Sequence, residues 1–211
     1  MNKIEINIDI KDFSIGKKKL CTKYLKPKIQ PEIPEYRLRY SKAVDLANDI
    51  NIEKNTRHYA IVEGSFYFGD FIEALIVSKN MIVKQLTIST LSMNQNNIDS
   101  LYNILNANYV DNLDLIISHY FYSHEKWKLI PYLYDRLDKD NKFQLTVCRS
   151  HCKICLIELY DGRKIVMHGS ANLRSSGNVE QIMIEENEYL YDFNYSYQRD
   201  IIETYKTIKK G

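Results

Sequence analysis

The sequence predicts an α/β protein whose central sheet is mixed, mostly parallel and flanked by helices. From about residue 60 onwards, short apolar runs of strand length alternate with segments that repeat apolar residues at helical spacing. Strands that alternate with helices along a chain indicate layers of helix packed on a sheet. With 211 residues and 45% hydrophobic content the chain can bury a core, and we expect one domain with an N-terminal extension.

The N-terminal extension, residues 1–50, differs from the rest of the chain in charge. Isoleucines that alternate with polar residues predict a strand with one buried face, formed by Ile4, Ile6, Ile8 and Ile10. A basic, proline-containing arm follows, marked by Lys17, Lys18, Lys19, Pro27, Pro31 and Pro34. This arm either touches nucleic-acid phosphates or is a solvated segment or an arm around a second subunit. We favour the last two interpretations, because a charge run alone is a weak signal.

Strands and helices are then predicted in turn. A short helix from Ser41 to Ile50 ends the extension, and residues 51–211 form the main domain. His58 to Val62 is a short strand. Asp70 can cap the helix that follows it, whose inward residues are Phe71, Ala74, Leu75 and Ser78. Ile82 to Leu91 is rich in β-branched residues, which predicts a buried strand.

The middle of the main domain repeats this order. Asn96 or Asn97 can cap a helix whose inward residues are Leu101, Ile104 and Leu105. Leu113 to Tyr120 is another apolar strand. Ser123 can cap the next helix, which Pro131 should kink or restart, and the inward residues of this helix are Ile130, Leu133, Tyr134 and Leu137.

A hairpin is predicted in the last third of the chain. Phe143 to Cys148 is a strand that leads into it. Ile154 to Leu159 and Lys164 to Met167 are apolar runs of strand length, and Asp161-Gly162 between them is a strong two-residue turn signal. A final helix runs from about Ser196 to Lys209.

Reactive side chains are expected to meet at the open end of this hairpin. Successive side chains of a strand point to opposite faces, so His151 and Lys153 share a face. If the hairpin closes at Asp161-Gly162, the segment from Gly169 to Asn172 returns to the same end. An imidazole, an ammonium, a hydroxyl and an amide would then converge, and these groups can attack a phosphate ester and hold its charge.

This pattern resembles the signature of the phospholipase D superfamily. The matching residues are His151-Cys152-Lys153, the acid Glu158, Gly169-Ser170-Ala171-Asn172 and, downstream, Asn178-Val179-Glu180. The order of strands and helices is compatible with that superfamily's sandwich fold over residues 51–211. One position departs from the pattern, because the family's acid is usually Asp and Glu158 stands in its place. Asp161-Gly162 is the alternative equivalent, displaced by a longer hairpin.

The resemblance implies roles for four catalytic residues. His151 would attack phosphorus and form a phosphohistidine intermediate. Lys153 and Asn172 would hold the non-bridging phosphate oxygens, with help from Ser170. Glu180 would accept a hydrogen bond from the far nitrogen of His151. No metal or other cofactor is expected, since lysine and asparagine neutralise the charge that a cation would otherwise balance.

Substrate-binding residues are expected around these four. Gly169 and Ser170 belong to the motif itself. His119 ends a predicted strand, and ligands of α/β sheets usually bind at such strand ends. His124 also has a lysine two residues on, Lys126, but only His151-Cys152-Lys153 is closely followed by a Gly-Ser-x-Asn segment, so we expect one copy of the full motif in this chain. The family's mechanism needs a second acid for the leaving oxygen. We therefore expect a two-fold homodimer with the site at its interface.

The resemblance and the basic arm favour a nuclease. Small single-motif members of the superfamily are mostly nucleases, and DNA is favoured over RNA as the partner. An alternative is a nucleic-acid-binding protein that keeps the fold without turnover, and a third is a phospholipase or phosphatidyl-transferring enzyme. No apolar run reaches membrane-spanning length, so we expect a cytoplasmic protein without a membrane partner.

The cysteines offer a tempting but poor metal motif. Two residues separate Cys152 from Cys155, so strand alternation places the two cysteines on opposite faces. Cys21 and Cys148 suggest no second half of a zinc site. Free thiols are the simplest interpretation.

Overall fold

A computed structural model describes residues 42–63 and 66–208, together with the backbone at 14–15, 18–19 and 35–40. The strands in these residues are β1 (Ser14–Ile15), β2 (Lys18–Lys19), β3 (Glu35–Tyr40), β4 (Arg57–Val62), β5 (Val83–Thr90), β6 (Leu113–Ser118), β7 (Phe143–Cys148), β8 (Ile154–Leu159), β9 (Lys164–Gly169) and β10 (Glu180–Glu186). The helices are α1 (Ala43–Asp49), α2 (Phe68–Ser78), α3 (Gln95–Asn106), α4 (His119–Glu125), α5 (Leu129–Leu137) and α6 (Glu188–Tyr205).

Within the described residues, eight strands form one sheet in the order β3-β4-β10-β9-β8-β5-β6-β7. β3 and β4 are parallel, as are β5, β6 and β7. β8 and β10 run against the other strands and make the antiparallel pairs. The predicted α/β fold with a mixed sheet flanked by helices is confirmed.

The two faces of the sheet are covered unequally. One face carries the main core, to which α1, α2, α3 and α5 contribute Leu46, Leu75, Leu101 and Leu133 among other residues. On the other face, α6 packs over β7, β8 and β9 and buries smaller clusters around Ile202 and Tyr191. Ile61 of β4 is 37% exposed, so this face stays open near β4 and β10.

The helix starts differ from the predicted ones because the capping partners differ. Asp70 lies inside the first turn of α2 and accepts a hydrogen bond from Ser100 at 3.4 Å. The N-cap of α3 is Asn94, not Asn96 or Asn97. Ser118 caps α4, so this helix begins before Ser123. Pro131 lies in the first turn of α5, where a helix tolerates proline, which confirms the predicted restart.

Two larger differences concern the ends of the domain. α6 starts at Glu188, well before Ser196, because Asn187 caps it by accepting from the backbone N–H of Leu190. β3 joins the sheet beside β4, and α1 packs on α2. The predicted strand over residues 4–10, the three prolines of the arm, Lys17 and Cys21 lie outside the described residues. None of the helices in the described part of the chain is long and apolar enough to cross a membrane.

Candidate active site

The β8–β9 hairpin closes where the sequence predicts, but its loop is longer than a two-residue turn. The N–H of Leu159 donates to the carbonyl of Arg163 at 2.9 Å, which leaves residues 160–162 as the loop. Gly162 has φ +88°, a left-handed conformation that glycine adopts without steric cost. Hairpin loops of this length often carry glycine at that position.

The open end of the hairpin brings the two halves of the motif together. β8 and β9 pair from Glu158↔Lys164 to Ile154↔His168. Beyond the last pair, the N–H of Gly169 donates to the carbonyl of Lys153 at 3.4 Å, and the N–H of Ser170 donates to the carbonyl of Gln181 at 2.9 Å. The segment from Gly169 onwards therefore lies beside Lys153.

The imidazole of His151 and the ammonium of Lys153 are in direct contact. Nζ of Lys153 lies 3.1 Å from Nδ1 of His151 and also donates to the His151 carbonyl at 3.1 Å. An ammonium can only donate, so Nδ1 accepts and the proton of the neutral ring sits on Nε2. Attack through Nε2 requires the other tautomer. A substrate phosphate that draws Lys153 away would free Nδ1 and permit the change. The His151 side chain is exposed and open to such a substrate.

Asn172 is fixed at the end of the neighbouring strand β5. Its Oδ1 accepts a hydrogen bond from the backbone N–H of Leu91 at 3.2 Å. The next residue, Leu173, donates its N–H to Oγ1 of Thr90 at 3.3 Å and accepts from the N–H of Gly69 at 3.0 Å. Because the amide oxygen is engaged, the amide NH₂ group is the part of Asn172 that can donate to a phosphate oxygen.

His119 lies at the same edge of the sheet. The carboxyl ends of β5 and β6 are adjacent there, and the hydroxyl of Ser118 donates to the carbonyl of Leu91 at 3.2 Å. Leu91 thus connects Asn172 with the start of α4, where His119 is exposed. His119 is hydrogen-bonded to Ser123 within α4. His119 therefore lies one strand beyond Asn172.

Glu180 has other partners than the predicted one. Its carboxylate accepts hydrogen bonds from the hydroxyls of Ser170 and Ser176. Ser170 also accepts from the N–H of Gln181 at 3.0 Å, so its single proton is used by Glu180. Among the described residues, no hydrogen bond joins Glu180 to His151, whose Nδ1 contacts Lys153 instead. Ser176 is a partner of Glu180 that is not among the predicted site residues. The run Ser175-Ser176-Gly177 before Glu180 is a turn signal that could have pointed to it.

Neither candidate for the family's acid lies at the open end. Glu158 pairs with Lys84 at 2.8 Å near the loop end of β8. Asp161 pairs with Arg163 at 2.8 Å in the loop itself. At about 3.3 Å per residue, Glu158 is roughly 13 Å along the strand from Ile154. Glu158 therefore links β8 to β5, and Asp161 is engaged within the loop.

The cysteines of this region are free thiols with different surroundings. Cys152 is exposed and Cys155 is buried, as expected for opposite faces. Burial raises the pKa of Cys148 to about 12, which keeps this thiol protonated. Within the described residues, no group of three or more His, Cys, Asp or Glu side chains is arranged to hold a metal ion.

Comparison with known proteins identifies the fold but no sequence relative. No protein-family model matches the sequence, and neither does any curated protein. NucT from Helicobacter pylori aligns at 15% identity with a TM-score of 0.52, over 71% of this chain and 98% of NucT. The phosphatidylserine synthase of Haemophilus influenzae Rd KW20 aligns at 13% identity with a TM-score of 0.52, over 79% of this chain but only 44% of the synthase.

A third solved structure is described as a phospholipase D family member, Nuc from Salmonella typhimurium. It aligns at 14% identity with a TM-score of 0.47, over 65% of this chain and 90% of Nuc. NucT and the synthase are also members of the phospholipase D superfamily. The alignments with NucT and the synthase, both at a TM-score of 0.52, show that this chain has the phospholipase D fold, in agreement with the resemblance of its motif.

Proposed function

We propose that this protein is a metal-independent phosphodiesterase, and specifically a nuclease that cleaves DNA through a phosphohistidine intermediate. One observation carries the proposal: the exposed imidazole of His151 lies 3.1 Å from the ammonium of Lys153 at the end of a hairpin, and the Gly169–Asn172 segment is bonded to that same end. A nucleophile and a phosphate-binding cation are thus held together in a fold that phosphodiesterases use.

The proposed reaction follows from the contacts of these side chains. A phosphodiester accepts hydrogen bonds from Lys153 and from the amide NH₂ of Asn172 on its non-bridging oxygens. Nε2 of His151 then attacks phosphorus, and the bond to the leaving oxygen breaks as that oxygen takes a proton from an acid. Water hydrolyses the phosphohistidine in the second half of the reaction and regenerates the imidazole.

The acid is proposed to come from a second copy of the chain. Each subunit of a two-fold dimer would present its exposed His151 to the other across the interface, as a closed symmetric pair requires. One histidine would serve as nucleophile and the other as acid. Glu180 would orient His151 only after Lys153 has moved to the phosphate, since Lys153 occupies Nδ1 in the free protein.

Nucleic acid is the proposed substrate for two reasons. NucT is a nuclease, and the alignment with this chain covers 98% of NucT. The first 45 residues of this chain carry eleven Lys or Arg against six Asp or Glu, and positive charge attracts phosphates. The phosphatidylserine synthase is more than twice as long as the part that aligns, which makes a lipid substrate the weaker proposal.

Cleavage in the presence of a chelator tests the proposal. The wild-type protein should cleave DNA in EDTA, and His151→Ala should abolish cleavage. His124→Ala is the matched control, since His124 is also an exposed histidine but lies on α4 with its Nδ1 bonded to the Tyr120 carbonyl. Cleavage that requires magnesium and survives His151→Ala would refute the mechanism. Binding without any product would favour the non-catalytic alternative.

A further inference from the structure

The sheet face that α6 leaves uncovered adjoins the candidate site. We call this surface the open face and define it by Tyr59, Ile61, His168, Gln181 and Met183. It forms a shallow depression of about 550 Å³, whose other lining residues include Gly169, Ser170 and Glu180 of the candidate site. The open face therefore reaches the side of the candidate site formed by Gly169, Ser170 and Glu180, while His151, Lys153 and Asn172 do not line the depression.

Strand register places the residues of the open face side by side. Met183 of β10 is paired with Tyr59 of β4 and with His168 of β9, and Gln181 is paired with Ile61. Directly opposed residues of neighbouring strands share a face and approach closely. Gln181 and Ile61 are exposed, and the other three side chains are half-buried. The Tyr59 ring, the Met183 thioether and the Ile61 side chain thus form a flat apolar surface, with the Gln181 amide at its edge.

One cationic side chain borders this surface. The Arg57 guanidinium, two positions from Tyr59 on the same strand, pairs with the fully buried carboxylate of Glu185 at 2.6 Å. An aromatic and apolar surface that is bordered by a cation and adjoins a proposed phosphate site is the combination that single-stranded nucleic acid requires.

We infer that the open face binds an unpaired base next to the phosphate that occupies the candidate site. The base would stack on Tyr59 and Met183, and the Gln181 amide would contact its edge. A base inside a duplex already stacks on its neighbours, so its face is closed to such a surface. The inference rests on the proposed function and refines it, because it makes single-stranded nucleic acid the substrate class.

An abasic oligonucleotide separates base contacts from phosphate contacts. The full chain carrying His151→Ala, which should bind without cleaving, is titrated with a labelled ten-nucleotide thymidine strand and with an abasic strand of equal charge. We expect the thymidine strand to bind about tenfold more tightly, since stacking of one base on an aromatic ring is worth roughly fivefold to 150-fold in affinity. Adding Tyr59→Leu should reduce the ratio to about one, and Tyr59→Trp should raise it.

Tyr160→Leu is the matched control, because Tyr160 is an exposed tyrosine of the hairpin loop at the far end of β8, and it should leave the ratio near ten. Equal affinity for both strands, or a ratio that Tyr59→Leu does not change, would overturn the inference. A change of oligomeric mass in Tyr59→Leu on sedimentation would overturn it too, since the open face would then be a subunit interface. Failure of wild-type cleavage in EDTA would refute the proposed function alone.

Discussion

At Gly169 the candidate site has no room for any side chain larger than a hydrogen atom. A Cβ at this position would overlap the carbonyl oxygen of Gln181 and lie 2.9 Å from its carbonyl carbon. β10 could not keep its distance from β9, and the hydrogen bond from Ser170 to Gln181 would be lost. The glycine of the Gly-Ser-x-Asn signature is thus explained by the close approach of two backbones.

We predict that Gly169→Ala lowers the cleavage rate by more than tenfold and the free energy of unfolding by about 2 kcal/mol. Urea denaturation and single-turnover cleavage measure the two effects. Gly162→Ala is the comparison variant, because Gly162 has φ +88° and open space around it. This variant should lose about 1 kcal/mol through backbone strain alone and keep its cleavage rate. Normal cleavage by Gly169→Ala would contradict the close-approach argument.

His168 offers a second prediction at this scale. Burial lowers the pKa of His168, while the charge of Glu185 acts in the opposite direction and that of Arg57 reinforces it. The unfolded chain, with an ordinary imidazole pKa of about 6.5, takes up a proton as the pH falls from 7 to 5, and the folded protein resists this. The free energy of unfolding should therefore decrease over this range.

In His168→Gln the free energy of unfolding should decrease less between pH 7 and pH 5, since the variant lacks the imidazole of His168, whose protonation contributes to the decrease. Part of the slope should remain, because burial also lowers the pKa of His58. His124→Gln, at an exposed position, should keep the full slope in urea denaturation between pH 5 and 7. An identical slope for wild type and His168→Gln would mean that His168 does not contribute.

Spacing along the chain predicts that candidate site residues meet but not how each of them is held. Strand alternation predicts a shared face for His151 and Lys153, whereas both residues precede β8, which begins at Ile154, and their side chains meet in the segment before the strand. The partner of Asn172 is the backbone of Leu91, which is distant in sequence and becomes a neighbour only when β5 pairs with β8. Single-sequence patterns carry no information on such long-range contacts.

At the scale of the helices and strands, the sequence predicts the buried residues of an element better than the residues at which the element begins and ends. The inward residues of α3 follow helical spacing and are buried as predicted. Its start is harder to predict, because Asn94, Asn96 and Asn97 are all good caps. The structure selects Asn94, since the side chains of Asn94 and Asn97 each bond the other's backbone N–H at 3.0 Å. Two reciprocal bonds outweigh the single bond that either alternative could make.

We predict that Asn94→Ala lowers the free energy of unfolding by about 1 kcal/mol, the usual effect of removing an N-cap side chain. Asn96→Ala provides the comparison, because Asn96 is exposed in the first turn and should change stability by less than about 0.5 kcal/mol. Chemical denaturation of both variants measures the difference. Equal losses would show that the capping box does not determine where α3 begins.

β10 is, like β3, a strand of the sheet that the sequence patterns missed. Its sequence, EQIMIEE, ends in two carboxylates, which do not suggest a buried strand. Both are nevertheless buried, because Glu185 pairs with Arg57 and Glu186 accepts from the N–H of Asn55 at 3.2 Å. Buried charges need such partners, and these partners come from a segment far away in sequence. Charge at the ends of an apolar run is therefore no reason to reject a strand.

At the scale of the whole molecule, the sequence predicts the local parts of the topology better than the long-range parts. The β8–β9 hairpin follows from two apolar runs and a turn signal. The insertion of β10 between β4 and β9 depends on pairing across the full length of the domain. The site lies where the carboxyl ends of β5 and β6 meet the hairpin, so its position follows from topology and its chemistry from the motif.

Because each chain carries one copy of the motif, the proposed mechanism depends on how many chains form the active species. If the nucleophile and the acid are the His151 side chains of two subunits, the active species is a dimer and each dimer needs both histidines. We predict that sedimentation of the wild-type protein gives twice the mass of one chain. We also predict that His151→Ala added to wild type, under conditions of subunit exchange, lowers the activity per wild-type chain.

The expected decrease is fixed by random pairing. At equal concentrations half of the wild-type chains occupy mixed dimers, which lack one histidine, so activity per wild-type chain should fall to about half. His124→Ala at the same concentration should leave the activity per wild-type chain unchanged, because its dimers keep both His151 side chains. Activity that is unaffected by His151→Ala after demonstrated exchange would mean that one subunit supplies both groups. The exposed His119, which lies at the same edge of the sheet, would then be the residue to test as the acid.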